Sequence, residues 1–403
     1  MLLKTAWRNI WRHPVRSMVI MTSVATGLWA GVSLMAFYYG VGERQVESAI
    51  SVETSHLQLH HPRFKEDYDL RFSIPDEEEI RVALSRDPRV MSLAPRTLVT
   101  AMVSTASGSR GANVFGIDPA AERTTTSIAQ KMIFGHYIDA SEPYGVVVGE
   151  RLMKKLKLKP KGKLIVTFND TQSEITAGAF KVCGVFRTEN SPFDEQTVFV
   201  NRTTLNRLAG TEGKFNELAV LLKPGIEPDS VRNELLKRFP EVKTETWRTL
   251  SPETDYVVSV VDEMIYIFMA IIFLGIGFGI VNTMLMSTLE RQREIGMLMA
   301  LGMNKGRLFI MVVYETVMLV LAGAPAGLIA AAGTVEWLHR KGISFERFKD
   351  VFSNFGYAHT VYPTLELRHY LTVSVMVIVT SLLASLIPAY RALQIRPGDA
   401  IRK

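Results

Sequence analysis

The sequence predicts an α-helical membrane protein with four transmembrane helices and a large α+β extracytoplasmic domain between the first and the second. Three observations point there. Four stretches run nearly free of charge, and each reaches the roughly 20 residues a helix needs to cross about 30 Å of hydrocarbon. Lys and Arg gather in three short segments that four crossings place on one side, which makes that side cytoplasmic. The long polar stretch between the first two spans alternates strand-like and helix-like patterns. At 403 residues, 47% of them hydrophobic, the chain has room for two or three domain-sized units.

Residues 1–16 read as an amphipathic helix on the inner surface. Leu3, Trp7 and Ile10 share one face, and Lys4, Arg8 and Arg12 repeat at four-residue spacing on another. A positive-inside signal without a surface helix would leave the same cations. Span one covers 17–42. Its apolar part is longer than the h-region of a signal peptide and no small-x-small cleavage site follows, so it is expected to be retained. Span two covers 264–289, span three 308–335 and span four 370–390. The 290–307 loop and the 391–403 tail then lie inside with the N-terminus, and the 336–369 loop lies outside. This topology accounts for the net charge of +6. The basic residues form no single patch with interleaved aromatics, so no nucleic-acid partner is expected.

The outer region 43–263 contains a repeat. "SHLQLHHPRF", "PDEEEIRVALSRD" and "VMSLAPRTLVTAMVS" read as strand, helix, strand, and so do "NELAVLLKPG", "EPDSVRNELLKRF" and "VKTETW". Both helices begin after Pro-Asp with acids in the first turn, as the helix dipole favours. Two such halves, about 43–120 and 205–250, are expected to pack as one α+β layer. An inserted β-rich subdomain is expected over about 120–205.

No catalytic constellation stands out. The sequence has no GxxxxGK[ST], HExxH, GxSxG or paired cysteines, and its single Cys183 excludes an internal disulfide. His56, His60 and His61 read as surface residues, and no metal site is expected. Small-residue pairs at Gly27/Gly31, Gly275/Gly279 and Gly323/Gly327 suit close helix packing, within the chain or between copies. Pro325 is a potential kink in span three.

Two features ask for a function. Glu315 is the single charge inside span three, where it costs at least about 2.5 kcal/mol. It lies about two turns from Arg307, and the other spans offer no charges for a proton relay. Its expected role is therefore an ion pair near the inner surface, for instance with Arg291, or a bond from a backbone donor. The inner segment "LERQREIGMLMALGMNKGRL" is patterned beyond what a loop needs. Ile295, Leu298, Met299 and Gly302 form one helical face, and Glu290, Arg291 and Glu294 another. Such a helix suits docking into a groove on a soluble partner. The plainer alternative is a charged hairpin.

At these residues the sequence resembles the MacB/FtsX-type ABC permeases. "ERQREIGMLMALGMNKGRLFIMVVYE" resembles that family's E-x-R-x-x-EIG-x-x-x-A-x-G segment. "AWRNIWRHPVRS" resembles its elbow helix, and "PAYRALQIRPGDAIR" its closing motif. "YGVVVGERLMKKLKL" with "FKVCGVFRT" is similar to the external segment of the lipoprotein-releasing LolC/LolE branch. The resemblance implies a dimeric permease in the bacterial inner membrane with a periplasmic domain, paired with a second copy or a sister permease. It implies no cofactor on this chain and an ABC ATPase dimer in trans, carrying ATP and Mg. Glu290, Arg293, Glu294, Ile295, Gly296, Ala300 and Gly302 then belong to a coupling helix, with Arg291, Leu298 and Met299 beside them. Met299 stands where many relatives carry a basic residue, and Pro325 departs from the family pattern. ATP binding by the partner would push on 290–302 and be felt outside through 40–47 and 254–263. In the lipoprotein branch acyl chains enter between the outer ends of spans one and two. Phe37, Tyr38, Met264, Ile265 and Phe268 occupy that level here, with an interfacial aromatic belt as the alternative. The implied function is lipoprotein release toward the outer membrane, with a periplasmic carrier and membrane lipid as further partners. MacB-like efflux of peptides or amphiphiles and FtsX-like control of a cell-wall hydrolase are the alternatives. A membrane-anchored enzyme is disfavoured by the missing catalytic residues.

Overall fold

Among the described residues of the computed structural model, four helices are long and apolar enough to cross a membrane, and they fit a membrane protein. The structure describes residues 14–211, 213–354 and 357–395. Most of the expected surface helix at 1–16 and the end of the 391–403 tail lie outside the described residues. The chain divides into two units. One holds residues up to 42, 259–343 and from 361 onward, and the other holds 43–258 and 344–360.

The helices run longer than their charge-free cores. The first extends over Pro14–Ala49 and continues as a π-helical turn, Ile50–Thr54. The second covers Pro252–Glu290, the third Lys305–Lys341 through Pro325, and the fourth Leu367–Leu393. Charge ends a span without ending a helix, because Glu43, Arg44 and Glu47 still satisfy their backbone in helical geometry.

In the helical unit the first helix is the hub. A Cβ on Gly27 or Gly31 would meet Ile276 at 2.8 Å or Ile272 at 3.1 Å on the second helix. A Cβ on Gly323 or Gly327 of the third helix would meet the backbone of Met21 at 2.7 Å or Ala25 at 2.5 Å. Two of the three small-residue pairs therefore serve packing within the chain. Trp29 Nε1 donates to Thr334 Oγ1 at 2.9 Å across the same helix pair.

The second unit is an α+β fold of two joined parts. Strands β1 (Leu57–His60), β2 (Val90–Thr105), β9 (Glu217–Leu222) and β10 (Lys243–Thr246) lie in the order β10-β1-β9-β2, all antiparallel. Helices Glu77–Ser85 and Pro228–Arg238 cover one face, where Leu57, Leu59, Ile80, Leu84, Leu218, Val220, Val231 and Leu235 form the core. This interleaving of two strand–helix–strand units is the split βαβ arrangement.

The expected insertion at 120–205 is not a separate subdomain. Strand β2 continues past Arg96 and pairs with β3 (Gly108–Ile117), after which the order runs through β8 (Thr197–Asn201), β5 (Gly145–Gly149) and β7 (Ile175–Phe186) to the edge strand β4 (Met132–Gly135). Strand β6 (Lys163–Asn169) pairs with both β7 and β2, so six strands close on themselves. The barrel borrows β2 and β3 from the first half. Val99, Val103, Val146, Val148, Val166, Phe180, Val198 and Val200 fill it, while Val147 and Phe199 face a second cluster with Phe115, Phe186 and Phe193. Burial on both faces explains the unbroken apolar run of β5.

Arg96 sits where β2 passes from one part to the other, opposite Glu217 on β9 and Ile117 on β3. Its guanidinium donates to both carboxylate oxygens of Glu122 (3.1 and 2.6 Å), to Glu217 (3.0 Å) and to the carbonyl of Glu53 in the π-helical turn (3.1 Å). Burial opposes its charge, but Glu122 and Glu217 outweigh that and hold its pKa above the ordinary arginine value. The expected outer loop 336–369 is not free-standing. Its middle, 344–360, packs in the α+β unit, where Asn354 accepts from Arg151 at 3.0 Å and Phe345 stacks on Phe352.

Candidate functional site

The second helix stops at Glu290, and Arg291 adopts a non-helical backbone (φ −96°, ψ 18°) before a short helix, Gln292–Ala300. That break turns Arg291 toward the third helix. Its Nη1 donates to Glu315 at 2.9 and 3.2 Å, and its Nε to Glu294 at 3.1 Å. The side chains of Arg291 and Glu315 are 13% and 8% exposed, and that of Glu294 41%. Of the two partners the sequence offers for Glu315, the structure contains the cation. A charge-assisted pair of this kind fixes orientation more than it adds stability, since both groups are desolvated.

The far end of the short helix is fixed by its backbone. Gly302 has φ +92°, its N–H donates to Met299 O at 3.0 Å, and Met303 N–H donates to Leu298 O at 3.0 Å. This is the Schellman arrangement, with glycine at the left-handed position. Asn304 then caps the third helix, accepting from Gly306 N at 3.1 Å. Four residues, 301–304, separate the two helices, so the short helix is tied at both ends. Gly302 acts through this geometry.

The expected coupling residues divide by burial. Ile295 and Gly296 are buried, while Leu298 and Met299 are half-buried. Glu290, Arg293 and Ala300 are exposed. Ile295 and Gly296 therefore seat the helix, and the outward face is Arg293 with Met297 (51% exposed) and Leu301 (85%). Sequence reasoning missed Met297 and Leu301. The available signal was the helix stop at Gly302, which leaves the side chain of the preceding Leu301 outside the apolar seam.

The five candidates at the outer level do not form one surface. Tyr38 stacks on Phe268 (ring centroids 5.3 Å apart), joining the first and second helices, and Phe37 meets Tyr38 edge-on at 5.9 Å. Met264 is exposed, but Ile265 is 4% exposed and belongs to the packed seam with Val261 and Met269. Four-residue spacing puts 261, 265 and 269 on one stripe, so Ile265 is corrected from a substrate-facing residue to a packing residue.

Comparison with known proteins agrees with this architecture. Residues 266–397 match the FtsX-like permease C-terminal family. The chain is 24% identical to the macrolide export ATP-binding/permease protein MacB of Agrobacterium fabrum, over 82% of this chain and 52% of that one. It is 23% identical to the lipoprotein-releasing system transmembrane protein LolC of Xylella fastidiosa, over 78% of each chain. It is also 23% identical to LolE of Haemophilus influenzae, over 80% of each. The chain thus spans about half the length of the MacB relative and about four-fifths of the LolC and LolE relatives. Residues 266–397 thus carry an FtsX-like permease C-terminal domain, and the chain is similar over most of its length to MacB, LolC and LolE, which are members of one ABC permease family.

Proposed function

We propose that this permease couples a separate cytoplasmic ABC ATPase dimer, carrying ATP and Mg, to movement of the α+β unit on the periplasmic side of a bacterial inner membrane. The observation that carries the reading is the short helix Gln292–Ala300. It is held inward by Arg291–Glu315 and by buried Ile295, and it presents Arg293, Met297 and Leu301 outward. An apolar pair beside a cation on a rigid, two-ended support is a small docking knob. Both termini face the cytoplasm in this reading, and the permease works as a dimer with a second copy or a sister permease.

For the cargo we favour lipoproteins leaving the inner membrane for the outer one, passed to a periplasmic carrier. LolC and LolE match most of their length to this chain, which supports that choice. Acyl chains would meet the helical unit near Tyr38, Phe268 and Met264. Mild solubilisation from native membranes, followed by mass spectrometry of what stays bound, tests the reading. An ATPase with acylated proteins supports it. An ATPase with small amphiphiles points to efflux, and one with a cell-wall hydrolase points to regulation. No ATPase overturns the coupling assignment.

A further inference from the structure

Three metal-ligating side chains meet on the outer edge of the barrel, far in sequence from the coupling segment. His136 Nε2 and a Glu142 carboxylate oxygen lie 3.2 Å apart, and with Cys183 Sγ all three ligand atoms fall within 4.8 Å of one another. Zinc bonds of about 2.0–2.3 Å in tetrahedral geometry put neighbouring ligand atoms about 3.3–3.7 Å apart. The nitrogen and oxygen already stand near that separation, and the sulfur needs a shift of about 1 Å or less.

The backbone brings the ligands together. Gly135 on β4 pairs with Gly184 on β7, so His136 and Cys183 are the next antiparallel neighbours, and His136 N–H donates to Cys183 O at 3.1 Å. Directly opposed residues share a face. The strands come this close because a Cβ on Gly184 would stand 2.3 Å from His136 O. Glu142 arrives from the following turn, where its N–H donates to Asp139 O and its carbonyl accepts from Gly145 N–H. A Cβ on Gly145 would sit 3.3 Å from the sulfur, so glycine there keeps the space beside it open. No spacing motif reveals this set, because two ligands come from one edge and its turn and the third from a strand some forty residues on.

We propose that His136, Glu142 and Cys183 bind a divalent ion of zinc type, with three protein ligands and a fourth position open to water. Imidazole, thiolate and carboxylate together suit zinc better than magnesium or calcium, which take oxygen donors. Binding exchanges a proton for the metal. The thiol hydrogen, now donated to Val146 O at 3.3 Å, leaves to solvent as the sulfur–metal bond forms. The bound ion would fasten the edge strand β4 and the 139–145 turn onto β7.

The test uses the full chain in detergent, stripped of metal by chelator and titrated with Co(II). Cys183 is the chain's single cysteine, so a thiolate-to-cobalt charge-transfer band reports on this site alone. The expected result is a band saturating at one equivalent and displaced by zinc. The band should be absent in Cys183→Ser, and in His136→Ala and Glu142→Gln the dissociation constant should rise about tenfold or more. No band at stoichiometric cobalt, or a band unchanged in both His136→Ala and Glu142→Gln, overturns the proposal. Alkylation of Cys183 gives a reading that needs no variant. Zinc should slow it at least severalfold, and an unchanged rate overturns the site.

Discussion

Arg96 and Arg291 are each held by two glutamates, and the two clusters are built for different ends. Arg96, Glu122 and Glu217 are all within 3% of complete burial, and the guanidinium also holds the backbone of Glu53. Nothing there can let go without stranding a charge. Arg291 shares a deep carboxylate, Glu315, with an outlying one, Glu294, that is 41% exposed. One arm is therefore anchored and the other is open to solvent or a partner. A fully enclosed cluster fixes a junction, here the passage of β2 from the split βαβ part to the barrel. A half-open cluster fixes one end of an element and leaves the other able to respond.

Breaking the enclosed cluster should have the largest effect. Arg96→Met leaves Glu122 and Glu217 buried without a cation, which costs about 3–5 kcal/mol. Pulse proteolysis of the full chain should show the α+β unit opening at much lower denaturant. An unchanged midpoint would mean the cluster is not structural.

The half-open cluster should respond locally. Glu315→Gln removes a charge-assisted bond of about 1.5–3 kcal/mol, which corresponds to about a ten- to hundredfold faster hydrogen exchange across 291–303. The rest of the helical unit should keep its protection. If exchange speeds up along all four helices equally, Glu315 holds the bundle together and is not a local anchor.

The smallest effect belongs to a surface cluster. Arg187 Nε and Nη2 donate to the Glu150 carboxylate at 2.6 and 2.5 Å, and with Lys154 they hold its pKa down to about 2. A depressed carboxylate pKa stabilises the fold above the unfolded value near 4.3 and loses that contribution as pH falls toward the folded value. Glu150→Gln should therefore weaken the unit at neutral pH, with the deficit vanishing between about pH 4.5 and 2. Arg187 and Lys154 are 45% and 64% exposed, so the deficit should stay below about 1 kcal/mol. A deficit persisting at the acid end of a denaturation series would assign the effect to packing.

What was legible in the sequence follows the range of the interactions. The spans showed because an absence of charge is a local property, and Glu315 showed because one acid among apolar residues has few possible partners. The strand–helix–strand repeat was legible from alternation and from its Pro-Asp starts. Barrel closure was not, because β6 meets β2 across some sixty residues of chain and alternation does not say which strand is the neighbour. Ile265 was misplaced for a related reason: depth along a helix can be counted from its end, but the direction of its stripe depends on the packed partner. Met297 and Leu301 escaped because an exposed apolar residue and a buried one look alike until the helix is placed.

In the proposed function the short helix Gln292–Ala300 is a docking element, seated by Ile295 and facing outward through Met297 and Leu301. Site-directed photo-crosslinking in native membranes tests it most directly, with a photoreactive side chain placed in turn at positions 295, 297 and 301. A docking helix should give a crosslink to an ATP-binding protein from 297 and 301, and at most a faint one from 295. No such crosslink from 297 and 301, or one equally strong from 295, would contradict it.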